Sequence, residues 1–156
     1  MRVIILITLI TMVYAEDILG PGPVQNINDA RQECDIAVTE IISGDAAESF
    51  KKLMSAYWYN PLALKNDLAK ICKPFEVEGQ ISQSLGDVSR NGGFVYIGSD
   101  NLGGISYRLC YAIRFERGYL PIIFIWYNTG EKWILYGILY GNMADPILDK
   151  FRAVNK

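Results

Sequence analysis

The sequence predicts a small α+β domain in which N-terminal helices pack on one face of a curved antiparallel sheet. Apolar residues recur at helical spacing in the first half of the chain, as far as Pro74. After Pro74, β-branched and aromatic residues alternate with polar ones between glycine-rich turns. A run of helices followed by a run of strands is typical of α+β domains. We therefore expect three helices and then four or five antiparallel strands.

Capping signals divide the first half of the chain into three predicted helices. A short polar residue before a periodic apolar stretch is typical of a helix start, and glycine or proline is typical of its end. The predicted starts are Asp29, Asp45 with Glu48 three residues later, and Asn60-Pro61, and the predicted stops are Ser43-Gly44, Tyr57-Trp58-Tyr59 and Lys73-Pro74.

The second half of the chain predicts strands joined by turns. Alternation is typical of a strand with one exposed face, whereas a continuous apolar run is typical of a strand covered on both faces. Residues 75–85 alternate and are predicted as an exposed edge strand, and residues 106–116 form the clearest two-faced strand. The other predicted strands are 94–97, 120–127 and 133–140, with turns at 91–93, 101–104 and 128–130.

The first fifteen residues have the pattern of a secretory signal. Met1 and Arg2 are positively charged, and an apolar run ends at Ala15 before the acidic pair Glu16-Asp17. As a helix, the run would reach only about 20 Å, too short for a hydrocarbon core of about 30 Å. We predict a secreted or periplasmic protein with no stable membrane anchor after cleavage. The alternative is a buried N-terminal strand or an uncleaved anchor.

Removing residues 1–15 from the 156 leaves 141, which suits one domain. Residues 16–28 contain Gly20-Pro21-Gly22-Pro23 and are predicted to be an extended leader. Residues 29–142 are predicted to form the domain, and residues 143–156 a C-terminal tail. The cleaved chain would carry 14 basic and 17 acidic residues, a net charge of about −3. Without a basic run to contact phosphates, we expect no nucleic-acid partner.

The three cysteines allow at most one internal disulfide in an oxidising compartment. We favour a bridge between Cys34 and Cys72, because both lie on predicted helices whereas Cys110 lies on a strand. The alternative is that all three are buried thiols. The chain has no histidine and no CxxC spacing, so we predict no metal site and no cofactor. The lack of histidine also removes the commonest general base, and we name no catalytic residue.

The stretch from Tyr107 to Gly118 and the string Trp126-Tyr127-Asn128-Thr129-Gly130-Glu131-Lys132-Trp133 resemble the nuclear transport factor 2-like or cystatin-like superfamily. The resemblance spans roughly residues 29–142 and implies a cone, in which a bent sheet wraps around the helices. It also looks like the small exported bacterial domains of this superfamily that have no assigned function. Members of the ketosteroid isomerase type place an acidic base and a tyrosine or protonated acid inside the cone. No residue of this chain clearly matches those groups.

Two arginines are the first candidate binding residues. Arg108 and Arg114 lie on the same face of the predicted strand 106–116, and Cys110 and Ala112 between them leave room above the sheet. Two guanidinium groups could hold a carboxylate or a phosphate. Alternatively, this face is exposed and the arginines pair with Glu116 or Glu131 across strands.

Tyrosines are the second group of candidates. Tyr57 ends the second predicted helix, and Tyr127 and Tyr136 lie on predicted strands. Aromatic residues with a polar tip suit the mouth of a pocket or a self-association surface. The alternative is that they reflect strand propensity and core filling.

These observations favour an exported, non-enzymatic binding or accessory domain whose partner is a small molecule or a protein. A homodimer through the sheet is a further expectation. The alternative is an enzyme of the ketosteroid isomerase type that uses a tyrosine and an acid inside the cone. A purely structural component of an envelope complex is a third reading, which predicts an exposed apolar patch and no cavity.

Overall fold

The computed structural model describes residues 24–76, 78–88 and 93–141, together with residues 144 and 149. The predicted signal peptide, most of the leader and most of the C-terminal tail lie outside these residues. The described chain contains helices α1 (Ile27–Ile42), α2 (Ala46–Tyr57), α3 (Leu64–Cys72) and α4 (Gln80–Leu85), and strands β1 (Phe94–Leu102), β2 (Ser106–Phe115), β3 (Gly118–Asn128) and β4 (Trp133–Tyr140).

The four strands form one antiparallel sheet in the order β1-β2-β3-β4, and the helices pack on one of its faces. This confirms the predicted α+β class and the order of helices before strands. The cone implied by the resemblance stays a prediction.

Helix α1 begins three residues earlier than predicted. Its N-cap is Asn26, whose side-chain oxygen accepts hydrogen bonds from the backbone of Asn28 and Asp29. Asp29 is the third helical residue, and its carboxylate accepts a hydrogen bond from the Asn26 backbone at 3.3 Å. This is a capping box, in which two residues cap each other. Val24, which lies in the predicted leader, is buried.

The start of α2 is confirmed and that of α3 is displaced. The carboxylate of Asp45 accepts a hydrogen bond from the Glu48 backbone at 3.2 Å, as its spacing predicted. Helix α3 begins at Leu64 rather than at Pro61. The side chain of Asn60 instead closes a turn before the helix, because it accepts hydrogen bonds from the backbone of Leu62 and Ala63.

The predicted edge strand at residues 75–85 is wrong. The chain continues from α3 into a 3₁₀ turn at Lys73–Phe75 and then forms α4. A Cβ on Gly79 would clash with the Pro74 carbonyl, so glycine permits the tight bend between the turn and the helix. Gly86, with φ of 78°, ends α4. Ile81 is the buried residue of α4, and one buried position cannot distinguish a strand from a single helical turn.

The sheet has two differently covered faces. Strand β1 extends five residues beyond its predicted end at Ile97, and the turn that follows contains Gly103 and Gly104 at positive φ. Strands β2, β3 and β4 lie within two residues of their predicted bounds. One face of β2 meets the helices through Leu109, Tyr111, Ile113 and Phe115. The opposite face has a smaller apolar cluster, formed by Cys110, Ile123, Ala144, Ile125 and Leu139.

Among the described residues, no helix is both long and apolar enough to cross a membrane.

Candidate functional site

A groove of about 550 Å³ lies between α1 and α2. Ten residues line it: Glu33, Ile36, Ala37 and Glu40 of α1, and Ser49, Lys52, Leu53, Ser55, Ala56 and Tyr57 of α2. Of these, only Tyr57 was predicted from the sequence to be a binding residue.

Small residues form the floor of this groove. Ser49 is buried, and its hydroxyl donates a hydrogen bond to the backbone carbonyl of Ala37 at 2.8 Å. The two helices therefore approach closely along Ala37 and Ser49, and their larger side chains lie on either side. Ile36 is 48% exposed at the edge, although it is a large apolar residue. The groove thus presents apolar surface to solvent within a concave shape, which is typical of a ligand site.

Charged residues lie at both ends of the groove. The ammonium of Lys52 forms an ion pair with the carboxylate of Glu40 across the groove, with 2.8 Å between the atoms. The hydrogen bond to Glu40, together with its charge, raises the pKa of Lys52. Glu33 lies at the other end beside Tyr57 and, among the described residues, forms no ion pair.

Tyr57 closes the groove where α2 meets the sheet. Its side chain is 7% exposed, and its ring packs against that of Trp126 with 5.5 Å between centroids. Burial, followed by the charge of Glu33, raises the pKa of Tyr57 to about 12. The phenol is therefore neutral at physiological pH and can donate a hydrogen bond.

A second tyrosine–acid pair lies where α1 packs on the sheet. The buried hydroxyl of Tyr111 donates a hydrogen bond to the Asp35 carboxylate at 2.8 Å. Burial raises the pKa of Tyr111, and the neighbouring thiol and carboxylate add to this effect. The Arg31 guanidinium lies over the Tyr96 ring, 4.0 Å from its centroid, and 3.9 Å from the Asp35 carboxylate. No cavity described for this part of the chain includes Tyr111.

Arg108 and Arg114 lie on the sheet face opposite the helices. The Arg108 side chain is 13% exposed and forms an ion pair with Asp100, which is directly opposite on β1. Its partner is therefore neither Glu116 nor Glu131. Arg114 is exposed and six residues further along β2, about 20 Å away at the usual rise of a strand. The structure does not bring the two guanidinium groups together.

The other two tyrosine candidates are not part of the groove. Tyr127 is 42% exposed near the end of β3, and Tyr136 is 57% exposed on β4. The ring of Tyr136 packs against that of Tyr59, with 4.9 Å between centroids. The three candidates Tyr57, Tyr127 and Tyr136 therefore do not form one pocket.

The three cysteines are buried free thiols. The pairing of Cys34 with Cys72 is not formed in the structure, and the two thiols have different partners. The indole N–H of Trp126 donates to the Cys34 sulfur at 3.3 Å, whereas the Cys72 thiol lies 3.9 Å from the Ala47 carbonyl. Within the described ranges, no group of three or more candidate ligands could hold a metal ion.

No family model, curated protein or solved structure matches this chain. The sequence contains a signal for part of the groove lining, because positions 33, 36, 37 and 40 of α1 and positions 49, 52, 53 and 56 of α2 recur three and four residues apart. The apolar residues at helical spacing were used instead to predict the helices themselves.

Proposed function

We propose that this chain is an exported, non-enzymatic binding domain and that the α1/α2 groove receives its ligand. The main support for the proposal is that apolar side chains are exposed inside a concave groove. Ile36 and Ala56 are the exposed apolar residues. An apolar surface of this kind is stabilised when a ligand removes it from water.

The residues around the groove support a binding role more than a structural one. Leu53 and Ala37 already fill the contact between the two helices, so Ile36 is not required to complete the core. Charges at both ends would orient a ligand, because Lys52 with Glu40 marks one end and Glu33 marks the other. A concave apolar surface with a few placed polar groups is the usual composition of a binding site.

Binding of the neutral apolar dye Nile red tests the site. We expect the dye to fluoresce with the purified chain and the signal to fall at least several-fold in Ala56→Trp, whose indole would fill the groove. The matched control is Ala69→Trp, because Ala69 is an exposed alanine on α3 that does not line the groove. Equal dye binding in both variants would refute the groove as the ligand site.

Export is tested separately on the full chain. If residues 1–15 are a signal, the protein secreted by a host with a general export pathway begins at Glu16. Intact-mass measurement of the exported protein distinguishes this from an uncleaved chain that begins at Met1. Retention of the whole chain in the cytosol would contradict the export part of the proposal.

A second candidate, an enzyme of the ketosteroid isomerase type, is favoured by the placement of Glu33 beside Tyr57 on the groove. A carboxylate base and a neutral phenol are the two groups that such proton transfer uses. Conversion of a β,γ-unsaturated 3-oxosteroid to its conjugated isomer tests this candidate. Turnover that is lost in both Glu33→Gln and Tyr57→Phe would support it, and no turnover by the wild-type chain would exclude it.

A further inference from the structure

We infer that the α1/α2 groove binds an amphipathic α-helix of a partner protein, whose apolar stripe is flanked by lysine or arginine. This inference rests on the proposed binding function and names the class of ligand. It is carried by three features of the groove: the spacing of its lining residues, the size of those residues, and the distribution of charge.

The lining residues follow helical spacing on both sides of the groove. Helix α1 contributes positions 33, 36, 37 and 40, and α2 contributes positions 49, 52, 53, 55, 56 and 57. The α1 positions, and positions 49, 52, 53 and 56 of α2, have the spacing i, i+3, i+4, i+7, which places them along one face of each helix. Two adjacent faces of this kind form a channel between the helices, and a third helix can lay a ridge of side chains into it.

The sizes of the side chains suit a helix rather than a flat surface. Ala37, Ser49 and Ala56 are small: Ala37 and Ser49 are buried where the two helices meet, and Ala56 is exposed. The small side chain of Ala56 leaves room for the backbone of an incoming helix. Ile36 at the edge provides a large apolar contact and is 48% exposed without a partner. Burial of such a side chain against a partner removes apolar surface from water and so stabilises a complex.

The charge of the helical hairpin identifies the flanks of the partner. Residues 27–57 contain six acidic and three basic residues, whereas the rest of the 156 residues contains 11 acidic and 12 basic ones. The negative charge of the chain is therefore concentrated on α1 and α2. Within the groove, Lys52 is already paired with Glu40, which leaves Glu33 as the carboxylate available to a cation. A partner with lysine or arginine beside its apolar stripe matches this surface.

The test uses three synthetic peptides and the full chain after export. The first is a 14-residue model helix with leucine at i, i+3, i+4 spacing and lysine on its flanks. The second has glutamate in place of each lysine. The third has the sequence of the first but contains alternating D-residues, which prevent helix formation. By fluorescence anisotropy, we expect the lysine peptide to bind about tenfold more tightly than the other two. We also expect it to gain helicity on binding and to weaken as salt is raised.

Matched variants locate the site. Glu33→Gln should weaken binding of the lysine peptide about threefold, whereas Glu131→Gln, which removes the same charge from an exposed turn, should leave it unchanged. Ile36→Ser and Ala56→Trp should weaken binding about tenfold or more, and Ala69→Trp should not. The inference is overturned if the glutamate peptide binds equally well, if the D-residue peptide binds equally well, or if Glu131→Gln matches Glu33→Gln.

Nile red separates this inference from the proposed function. If the dye binds and Ala56→Trp abolishes its signal while no peptide binds, the groove holds a small apolar ligand and only the helix inference fails. If neither dye nor peptide binds, both fail.

Discussion

The hydroxyl of Tyr111 in the middle of β2 donates a hydrogen bond to the Asp35 carboxylate in the middle of α1, with 2.8 Å between the oxygens. The Tyr111 ring is fully buried, and it contacts the rings of Tyr96 and Phe124 at 5.3 and 5.8 Å. The contact therefore fixes how α1 lies on the sheet, and with it one side of the α1/α2 groove.

Tyr111→Phe should lower the free energy of unfolding by about 1–2 kcal/mol, because it removes a hydrogen bond to a charged acceptor and leaves the ring in place. Urea unfolding measures this loss. The control is Tyr127→Phe, an exposed tyrosine on β3, which should change stability by less than about 0.5 kcal/mol. Equal stability of the two variants would show that the bond does not contribute.

Stability should also fall at alkaline pH because of Tyr57. Burial and the charge of Glu33 raise its pKa from 10.0 to about 12 in the folded state. Below pH 10 the phenol is neutral in both the folded and the unfolded chain. Between about pH 10 and 12 the unfolded chain releases the proton first, so the free energy of unfolding decreases as pH rises.

Urea unfolding at a series of alkaline pH values checks this prediction. The decrease should be shallower in Tyr57→Phe than in the wild-type chain, because the variant has no proton to lose at that position. Burial raises the pKa values of Tyr111 and Tyr140 as well, so a smaller decrease should remain in the variant. Identical pH dependence in both proteins would contradict the role given to Tyr57.

Caps and long alternating runs were sufficient to predict most of the fold. The Asp45 cap and the alternation along β2 are local signals that tertiary packing does not override, so α2 and β2 lie close to their predicted bounds. Asp29 was predicted to be the N-cap of α1, but it is the third residue of the helix. The prediction was wrong because Asn26 and Asp29 cap each other, and an acidic residue suits either position of a capping box. Helix α4 was missed because it is only six residues long and the alternation of residues 75–85 favoured a strand instead.

The candidate site was far less predictable than the fold. The ion pair between Arg108 and Asp100 was not predicted, because Asp100 lies on β1 and this strand was predicted to end before that residue. The groove depends on how two helices lie against each other, which no single helix specifies. Tyr57 was named for its residue type, and only the fold places it beside Glu33.

The thiols should be unreactive in the folded protein. Burial raises the pKa values of all three, that of Cys110 to about 12, so little thiolate is present near neutral pH. Alkylation without a reductant should therefore be slow in the native state and should give three adducts once the chain is unfolded in denaturant. Mass spectrometry counts them. A single adduct would instead show one internal disulfide, and peptide mapping of that adduct to Cys110 would identify the bridge as the one predicted between Cys34 and Cys72.

The ion pair between Arg108 and Asp100 should stabilise the edge of the sheet rather than bind an anion. The two residues are cross-strand neighbours, and the guanidinium is mostly buried, with its Nε lacking a hydrogen-bond partner among the described residues. Either Arg108→Ala or Asp100→Ala leaves the other charge poorly compensated. For a partly buried pair, this should lower the free energy of unfolding by about 1–3 kcal/mol. Exposed Arg114→Ala should cost less than about 0.5 kcal/mol.

A double-mutant cycle isolates the interaction from other effects of each substitution. Because both single variants lose the same ion pair, the double variant should be more stable than the sum of the two losses predicts, by about 1 kcal/mol or more. Additive losses would show that the pair contributes nothing beyond the packing of each side chain.

Inorganic phosphate provides the matching test of the anion site, since Arg108 is already occupied by Asp100. Phosphate should stabilise the wild-type chain and Arg108→Ala to the same small extent, whereas a stabilisation lost only in Arg108→Ala would restore the sequence-based prediction.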